Sequence, residues 1–269
     1  MLWENGMHSI PNTLAELGPG GSLGVGLAAM LSGVNNYYAL DVVRHLNNDL
    51  NLMILEELIA LFKKRAERTA KGWPDYDEYL GKKLFPSHIL TDEVLDRSLS
   101  EERIALIRSA LLNPGVQNKN MSIRYMVPWF DNSIIENETV DVILSHSVLE
   151  HVVDLEIVYR SFCSWLKRGG IMSHQIDFES HGLSNKWNGH RTYSELIWKV
   201  IVGRRPFLIN RQPYSVHINL IKMNDFKVVR ELRRYRTDGI KRSQLSPFWK
   251  NISDDDLTCS GAFIQAYKQ

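Results

Sequence analysis

Residues 14–28 read LAELGPGGSLGVGLA, so five glycines and a proline crowd directly behind a short apolar run. That run, residues 12–17, suits a buried strand, and the glycines break it. Residues 23–33 are small and apolar up to Gly33, the pattern of a helix with a glycine just past its end. YYALD at 37–41 then reads as a second strand. Strand, glycine turn, helix and strand within about thirty residues form a βαβ unit. Such a unit commits the chain to a parallel sheet with helices on its faces.

The alternation pauses over residues 46–120, which read as a helical insertion between the second and third strands. NLMILEELIALFKKRAERT puts Leu55, Leu58, Ile59 and Phe62 on one helical face. GWPDYDEYLGKKLFPSH reads as a loop, and Ser98 with Glu101 suggests a capping box opening a helix at EERIALIRSALL. Strands resume at 122–127 and 139–145. An amphipathic helix at 155–170, ended by glycine, leads into a strand at 170–177, and a further helix covers 193–203. Two closing strands, 226–235 and 261–268, have no helix-length apolar pattern between them, so they pair antiparallel at the sheet edge. The expectation is one α/β domain over 1–269, with 46–120 a lid candidate and 178–225 a basic substrate-side segment.

Composition narrows the setting. Cys163 and Cys259 are the only cysteines of 269 residues, too few for a disulfide framework and suited to a reducing compartment. The N-terminus lacks the basic flank and apolar core of a secretory signal, and LGVGLAAMLSGV is too short to cross a bilayer. A cytoplasmic protein without a membrane span is expected. The net charge of +1 hides an asymmetry: between Lys186 and Lys250 fifteen Lys and Arg face four acids. Such a segment is either a solvated face or a surface that meets an anionic acceptor.

A βα turn of small residues lets a ligand touch the backbone at a helix start. Asp41 ends the second strand, where an acid accepts both ribose hydroxyls of a nucleoside. Two features speak against a nicotinamide cofactor. Leu23 takes the last position of the G-x-G-x-x-G register, and Glu16 before the turn would repel a pyrophosphate while suiting a cationic amino acid. A nucleoside with an ammonium and a sulfonium fits better, which is S-adenosylmethionine.

ELGPGGS resembles the first motif of class I S-adenosylmethionine-dependent methyltransferases, of the type 11 kind. VDVILSHSVLEHVVDLEIVYRSFCSWLKRGGIM resembles their fourth strand, Leu-x-His segment, following helix and fifth strand. DDDLTCSGAFIQAYK resembles their final antiparallel strand. SHQIDFESHG, WNGHRTYS and NRQPYSVHI are more loosely similar to methyltransferases of bacterial surface-polysaccharide clusters. The resemblance implies a Rossmann-like, seven-stranded, mostly parallel sheet of order 3-2-1-4-5-7-6. It also implies that Glu16 sits near the methionine amino group and that Gly18, Pro19, Gly20 and Ser22 line the turn. Asp41 would hold the ribose, with Val42 beside it a further cofactor contact, and Met126 and Val127 would flank adenine. Ser145, His146 and Ser147 would lie under the methionine part. Ser22 replaces the family's third glycine, and no acid ends the third strand. Few residues precede the motif, so the insertion is expected to supply the cofactor's cover.

For the chemistry, Asp177 and His181 are favoured as substrate contact or base, with His174 a further candidate, since imidazole titrates near neutral pH. His190, Tyr193, Arg211 and His217 are candidate acceptor contacts. Asp177, His181 and His190 could hold a divalent ion that chelates a diol, but their spacing carries no metal signature, and none is expected. His151, in the Leu-x-His segment, reads as structural. The leading expectation is O-methylation of a small or saccharide-type acceptor, phosphorylated or nucleotide-linked if the basic segment receives it. The alternatives are an NAD(P)-dependent oxidoreductase and a catalytically silent methyltransferase-like binding subunit. A nucleic-acid partner is not expected, because no recognised RNA- or DNA-binding module accompanies the basic segment.

Overall fold

The computed structural model describes residues 1–68, 72–80, 84–117, 121–129, 132–205 and 207–269. The chain opens with β1 (Thr13–Leu17), α1 (Gly24–Leu31) and β2 (Asn36–Leu40). The insertion carries α2 (Asn48–Lys63), α3 (Tyr76–Leu80), α4 (Asp92–Ser98) and α5 (Glu101–Leu112). There follow β3 (Ser122–Met126), β4 (Val140–His146), α6 (Leu155–Trp165) and β5 (Leu166–Asp177). Last come α7 (Glu195–Val202), α8 (Tyr214–Met223), β6 (Phe226–Tyr235), α9 (Asp254–Thr258) and β7 (Cys259–Lys268). The strands form one sheet of order β3-β2-β1-β4-β5-β7-β6, as expected from the sequence. β1 pairs parallel with β2, and β2 with β3. β6 and β7 pair antiparallel.

By contacts the chain divides into two compact units. The first holds Met1–Leu144 with Ser164–Ile171, and the second Ser145–Cys163 with Met172–Gln269. The boundary cuts through β4 and β5, which no composition shift marks.

In the first unit α2 and α5 are core rather than a hinged flap. Leu55, Ile59, Ile107 and Leu111 bury in one cluster with Leu23, Leu27, Met30 and Leu31. Fully burying such a side chain contributes about 1.5–3 kcal/mol, so these helices are fixed. Asn51 ties α2 to the glycine turn, accepting from Leu23 N–H (2.7 Å) and donating to the Gly21 carbonyl (3.1 Å). A lid role for 46–120 would therefore be one for fixed helices.

Three local expectations are corrected. Ser98 is the last residue of α4, and the side chain capping α5 is Ser100, which accepts from Arg103 N–H (3.3 Å). α6 stops at Trp165 rather than at the glycines, because the carbonyls of Ser164 and Trp165 accept from Glu138 and Thr139 N–H. Finally, α8 occupies a stretch left without structure. It follows Pro213, lacks a side-chain cap and places polar Ser215 and Asn219 among its apolar residues, so neither cap nor period announces it.

Candidate functional site

The glycines between β1 and α1 do two separate jobs. Gly18 and Gly20 hold left-handed backbones, φ +63° and +64°, which cost side chains about 1–2 kcal/mol. A Cβ on Gly20 would meet nothing within 4 Å, so the turn is open for a ligand to approach the backbone. Gly26 works inward instead. A Cβ there would lie 2.1 Å from a Tyr37 ring carbon. Gly26 thus admits the buried Tyr37, whose hydroxyl donates to Glu16 (2.6 Å). Burial pushes the Glu16 carboxyl up to about 7, against the pull of Tyr37 and of the Gly26 backbone.

Asp41 follows β2 and is buried. Its Oδ2 accepts from Gly20 N–H (3.1 Å) and its Oδ1 from Val42 N–H (2.7 Å). Oδ1 also accepts from Val43 N–H (3.5 Å), while Oδ2, with one bond, keeps a spare lone pair. Tyr125, which the sequence reading passed over, also braces this turn: its hydroxyl accepts from His45 N–H (3.1 Å) and lies 3.5 Å from the Gly20 carbonyl. Pro19, Val42, Met126 and Val127 are half-buried, and Ser22 is exposed with its hydroxyl accepting from Gly24 N–H. Open backbone at Gly20, acceptor capacity on Asp41 and a buried carboxyl at Glu16 fit a nucleoside that carries a cationic amino acid.

The second unit gathers a different set of groups. Ser145 turns inward, its hydroxyl 2.8 Å from His174 Nδ1. His174 is 1% exposed and stacked on Phe162, and burial pushes it down to about 3. It is a core histidine, which removes it from the candidate bases. His217 likewise is fully buried against the Tyr159 hydroxyl (3.0 Å) and pushed down to about 3, so it is not an acceptor contact. Arg211 is also spent inside. It pairs with Glu195, donates to the Tyr193 carbonyl (3.3 Å) and lies over the Trp198 ring. Tyr193 donates to the Leu183 carbonyl (2.9 Å).

Asp177 and His181 do come together, with His181 Nε2 3.7 Å from Asp177 Oδ2. Asp177 Oδ1 accepts from Glu179 N–H (2.8 Å). A small pocket of about 10 Å³ is lined by Glu150, Asp177, His190 and Arg211 among others. Both ring nitrogens of His190 are buried there without a partner. Ser147, His181, Phe207 and Arg211 all have left-handed backbones. Non-glycine residues in that region carry strain and cluster at functional sites. His146 is exposed, and Ser147 N–H donates to the Gln175 carbonyl (3.0 Å).

Glu150 is the residue the sequence reading missed. It is 3% exposed, and neither carboxylate oxygen makes a hydrogen bond of good geometry. Burial pushes it up to about 8, only partly offset by nearby backbone amides. An acid beside the histidine of Leu-x-His, right after a strand, was its available signal. The metal trio weighed from sequence is also revised: the His and acid atoms that lie together are those of Glu150, His151 and His181.

Among the described residues, no helix is long and apolar enough to cross a membrane. A family model described as a methyltransferase domain matches residues 85–173, beginning after the glycine turn. No curated protein matches the chain. Similar solved structures include an S-adenosylmethionine-dependent methyltransferase from Mesorhizobium loti, 12% identical with TM-score 0.47, covering 95% of this chain and 90% of that one. Another is a SAM-dependent methyltransferase from Methanosarcina mazei, 12% identical with TM-score 0.49, covering 99% and 96%. The methyltransferase-domain match over residues 85–173, the strand order and the glycine turn backed by Asp41 all agree with the class I S-adenosylmethionine-dependent methyltransferases that the sequence resembles.

Proposed function

We propose that the chain methylates an oxygen of a small or saccharide-type acceptor in a reducing, cytoplasmic setting. When bound, S-adenosylmethionine supplies a methyl group on a sulfonium. Gly18 and Gly20 let its nucleoside approach the backbone, and Asp41 accepts its ribose hydroxyls. Glu16, on losing the proton that burial favours, would provide the negative charge for its ammonium, and Val42, Met126 and Val127 would offer half-buried apolar surface for the cofactor. On the acceptor side, Asp177 Oδ2 is the group placed to take a hydroxyl proton, and His181 stands beside it to hold the acceptor. An oxygen nucleophile is favoured because it must lose a proton, and a carboxylate–imidazole pair serves that purpose. A phosphorylated or nucleotide-linked acceptor loses support, because Arg211 is bound internally.

The observation that carries the cofactor assignment is the Asp41 carboxylate bonded to Gly20 N–H across the open turn. Calorimetry with S-adenosylhomocysteine tests it. Asp41→Ala should weaken binding by about 1.5–3 kcal/mol, the worth of charge-assisted bonds to two hydroxyls. S-adenosylhomocysteine should also raise the unfolding temperature where NAD does not. Unchanged affinity in Asp41→Ala would remove the residue from the ribose role. Protection by NAD instead would favour the oxidoreductase.

A further inference from the structure

We infer that Glu150, His151 and His181 form a binding site for one divalent first-row transition-metal ion, such as Co²⁺, Mn²⁺ or Zn²⁺. Each residue offers a ligand atom, and these atoms lie within 4.8 Å of one another. Ligands about 2.1 Å from a tetrahedral ion are about 3.4 Å apart. Small side-chain rotations therefore close the site without moving the backbone. The short helical turn Leu149–His151 places the first two ligands side by side. The left-handed residue His181 (φ +48°), four residues beyond Asp177, turns the third toward them.

The independent sign of a ligand is Glu150 itself. Both its oxygens are buried and make no hydrogen bond of good geometry, and the same holds for His151 Nδ1. Unpartnered buried groups of this kind are costly, and native proteins retain few of them without a water, an ion or a function to account for them. A cation among the three would take one ligand atom from each residue, a Glu150 oxygen included. One carboxylate and two imidazoles suit a first-row transition metal, whereas Ca²⁺ and Mg²⁺ prefer all-oxygen shells. Asp177, 3.7 Å from His181 Nε2, is a carboxylate partner for that ring, the usual support of a metal-bound histidine.

Burial grades from Glu150 at the bottom to His181 at the surface. Three protein ligands with a solvent-facing side leave coordination positions open, as catalytic sites require. The ion would therefore grip an acceptor through a pair of neighbouring oxygens, such as a vicinal diol. That role rests on the methyltransferase reading, whereas metal binding does not.

The test is a titration of the full-length protein, stripped with EDTA, with Co²⁺ followed by visible absorption. One equivalent should saturate ligand-field bands. Glu150→Gln, which keeps the side-chain shape, and exposed His181→Ala should each weaken Co²⁺ by at least about the 10–100-fold that loss of an outer-shell partner costs. Far-ultraviolet circular dichroism checks that both variants fold. Absent bands, or equal affinity in wild type and His181→Ala, would overturn the site. S-adenosylhomocysteine binding is measured on the same samples. Its absence from wild type would strike the methyltransferase reading and leave the Co²⁺ result to decide the metal site.

Discussion

The two units bury polar groups in opposite ways. In the first, Glu16 takes the Tyr37 hydroxyl, Asp41 takes Gly20 and Val42 N–H, and Asn51 joins α2 to the turn. These buried groups build a shape. In the second, both oxygens of Glu150, both nitrogens of His190 and the Nε2 atoms of His174 and His217 are buried without protein partners. Buried polar groups without protein partners need water or a ligand to satisfy them. In the first unit the polar groups around the open turn are thus matched, with Asn48 Oδ1 and Arg103 Nε left over elsewhere, whereas the second unit leaves more of its buried polar atoms unmatched.

The largest test of this contrast is pH, because Glu16 of the first unit responds with the opposite sign to His174 and His217 of the second, where Glu150 alone shifts as Glu16 does. Burial lowers His174 and His217 from 6.5 to about 3, so below 6.5 the unfolded chain takes protons that the folded chain refuses. Their contribution is complete above 6.5 and is lost as pH falls, by about 3 kcal/mol each at pH 4. Glu16 does the reverse. Its carboxyl is raised from 4.5 to about 7, so the folded chain keeps a proton that the unfolded one releases. That contribution is complete below 4.5 and disappears by about pH 7, again about 3 kcal/mol. Denaturant unfolding of wild type and Glu16→Gln from pH 4 to 8.5 separates the two. The difference between them should change between pH 4.5 and 7 and stay flat above. Imidazole resonances of His174 or His217 titrating near 6.5 in the folded protein would break the comparison.

Gly26 gives the next effect. Gly26→Ala sets a Cβ 2.1 Å from the buried Tyr37 ring and should cost about 3 kcal/mol of unfolding free energy, at the upper end of overpacking effects. The open turn behaves differently. Gly20→Ala meets no atom within 4 Å, so it should cost only the left-handed backbone penalty of about 1–2 kcal/mol. Urea midpoints measure both. Equal losses would mean that the glycines share one role.

These residues also show what was legible in the sequence. Strand, glycine turn, helix and strand can be read because apolar period and glycine placement are local properties, and the sheet order followed from the family resemblance. Asp41 could be singled out because its position at a strand end is fixed by that local pattern. Tyr37 and Tyr125 were missed because their hydroxyls act across strands, through neighbours 21 and 105 residues away. His174 and His217 were misjudged for a related reason. A histidine on an interior position looks the same in sequence as one at a site, until Phe162 and Tyr159 are seen packed against them. Glu150 stood next to a recognised motif, but its lack of a partner is a fact of three dimensions. The division of the chain within β4 and β5 leaves no trace in composition.

The smallest expected effect concerns the basic segment, where the sequence suggested an anionic acceptor. In the fold part of that charge is matched. Arg233 pairs with Asp255, Arg234 with Glu179, Arg236 with Glu179 and Asp238, and Arg242 with Asp254. Three of these acids lie outside the segment in sequence, which is why the count of charges between 186 and 250 overstated the excess. Arg204 and Arg205 are exposed beyond the end of α7. Exposed charges of this kind contribute about 0–1 kcal/mol, and salt screens them. Reversing both, as Arg204→Glu with Arg205→Glu, should therefore shift unfolding free energy by no more than about 0.5 kcal/mol. It should change the acceptor's KM by no more than about twofold, followed as S-adenosylhomocysteine release with a neutral saccharide acceptor. An increase of about tenfold or more that shrinks at high salt would restore the anionic acceptor, since a phosphate held by Arg is worth about 1.5–3 kcal/mol per good contact. It would also place recognition on the surface of the second unit rather than at its unpartnered interior groups, and so break the contrast where it bears on substrate.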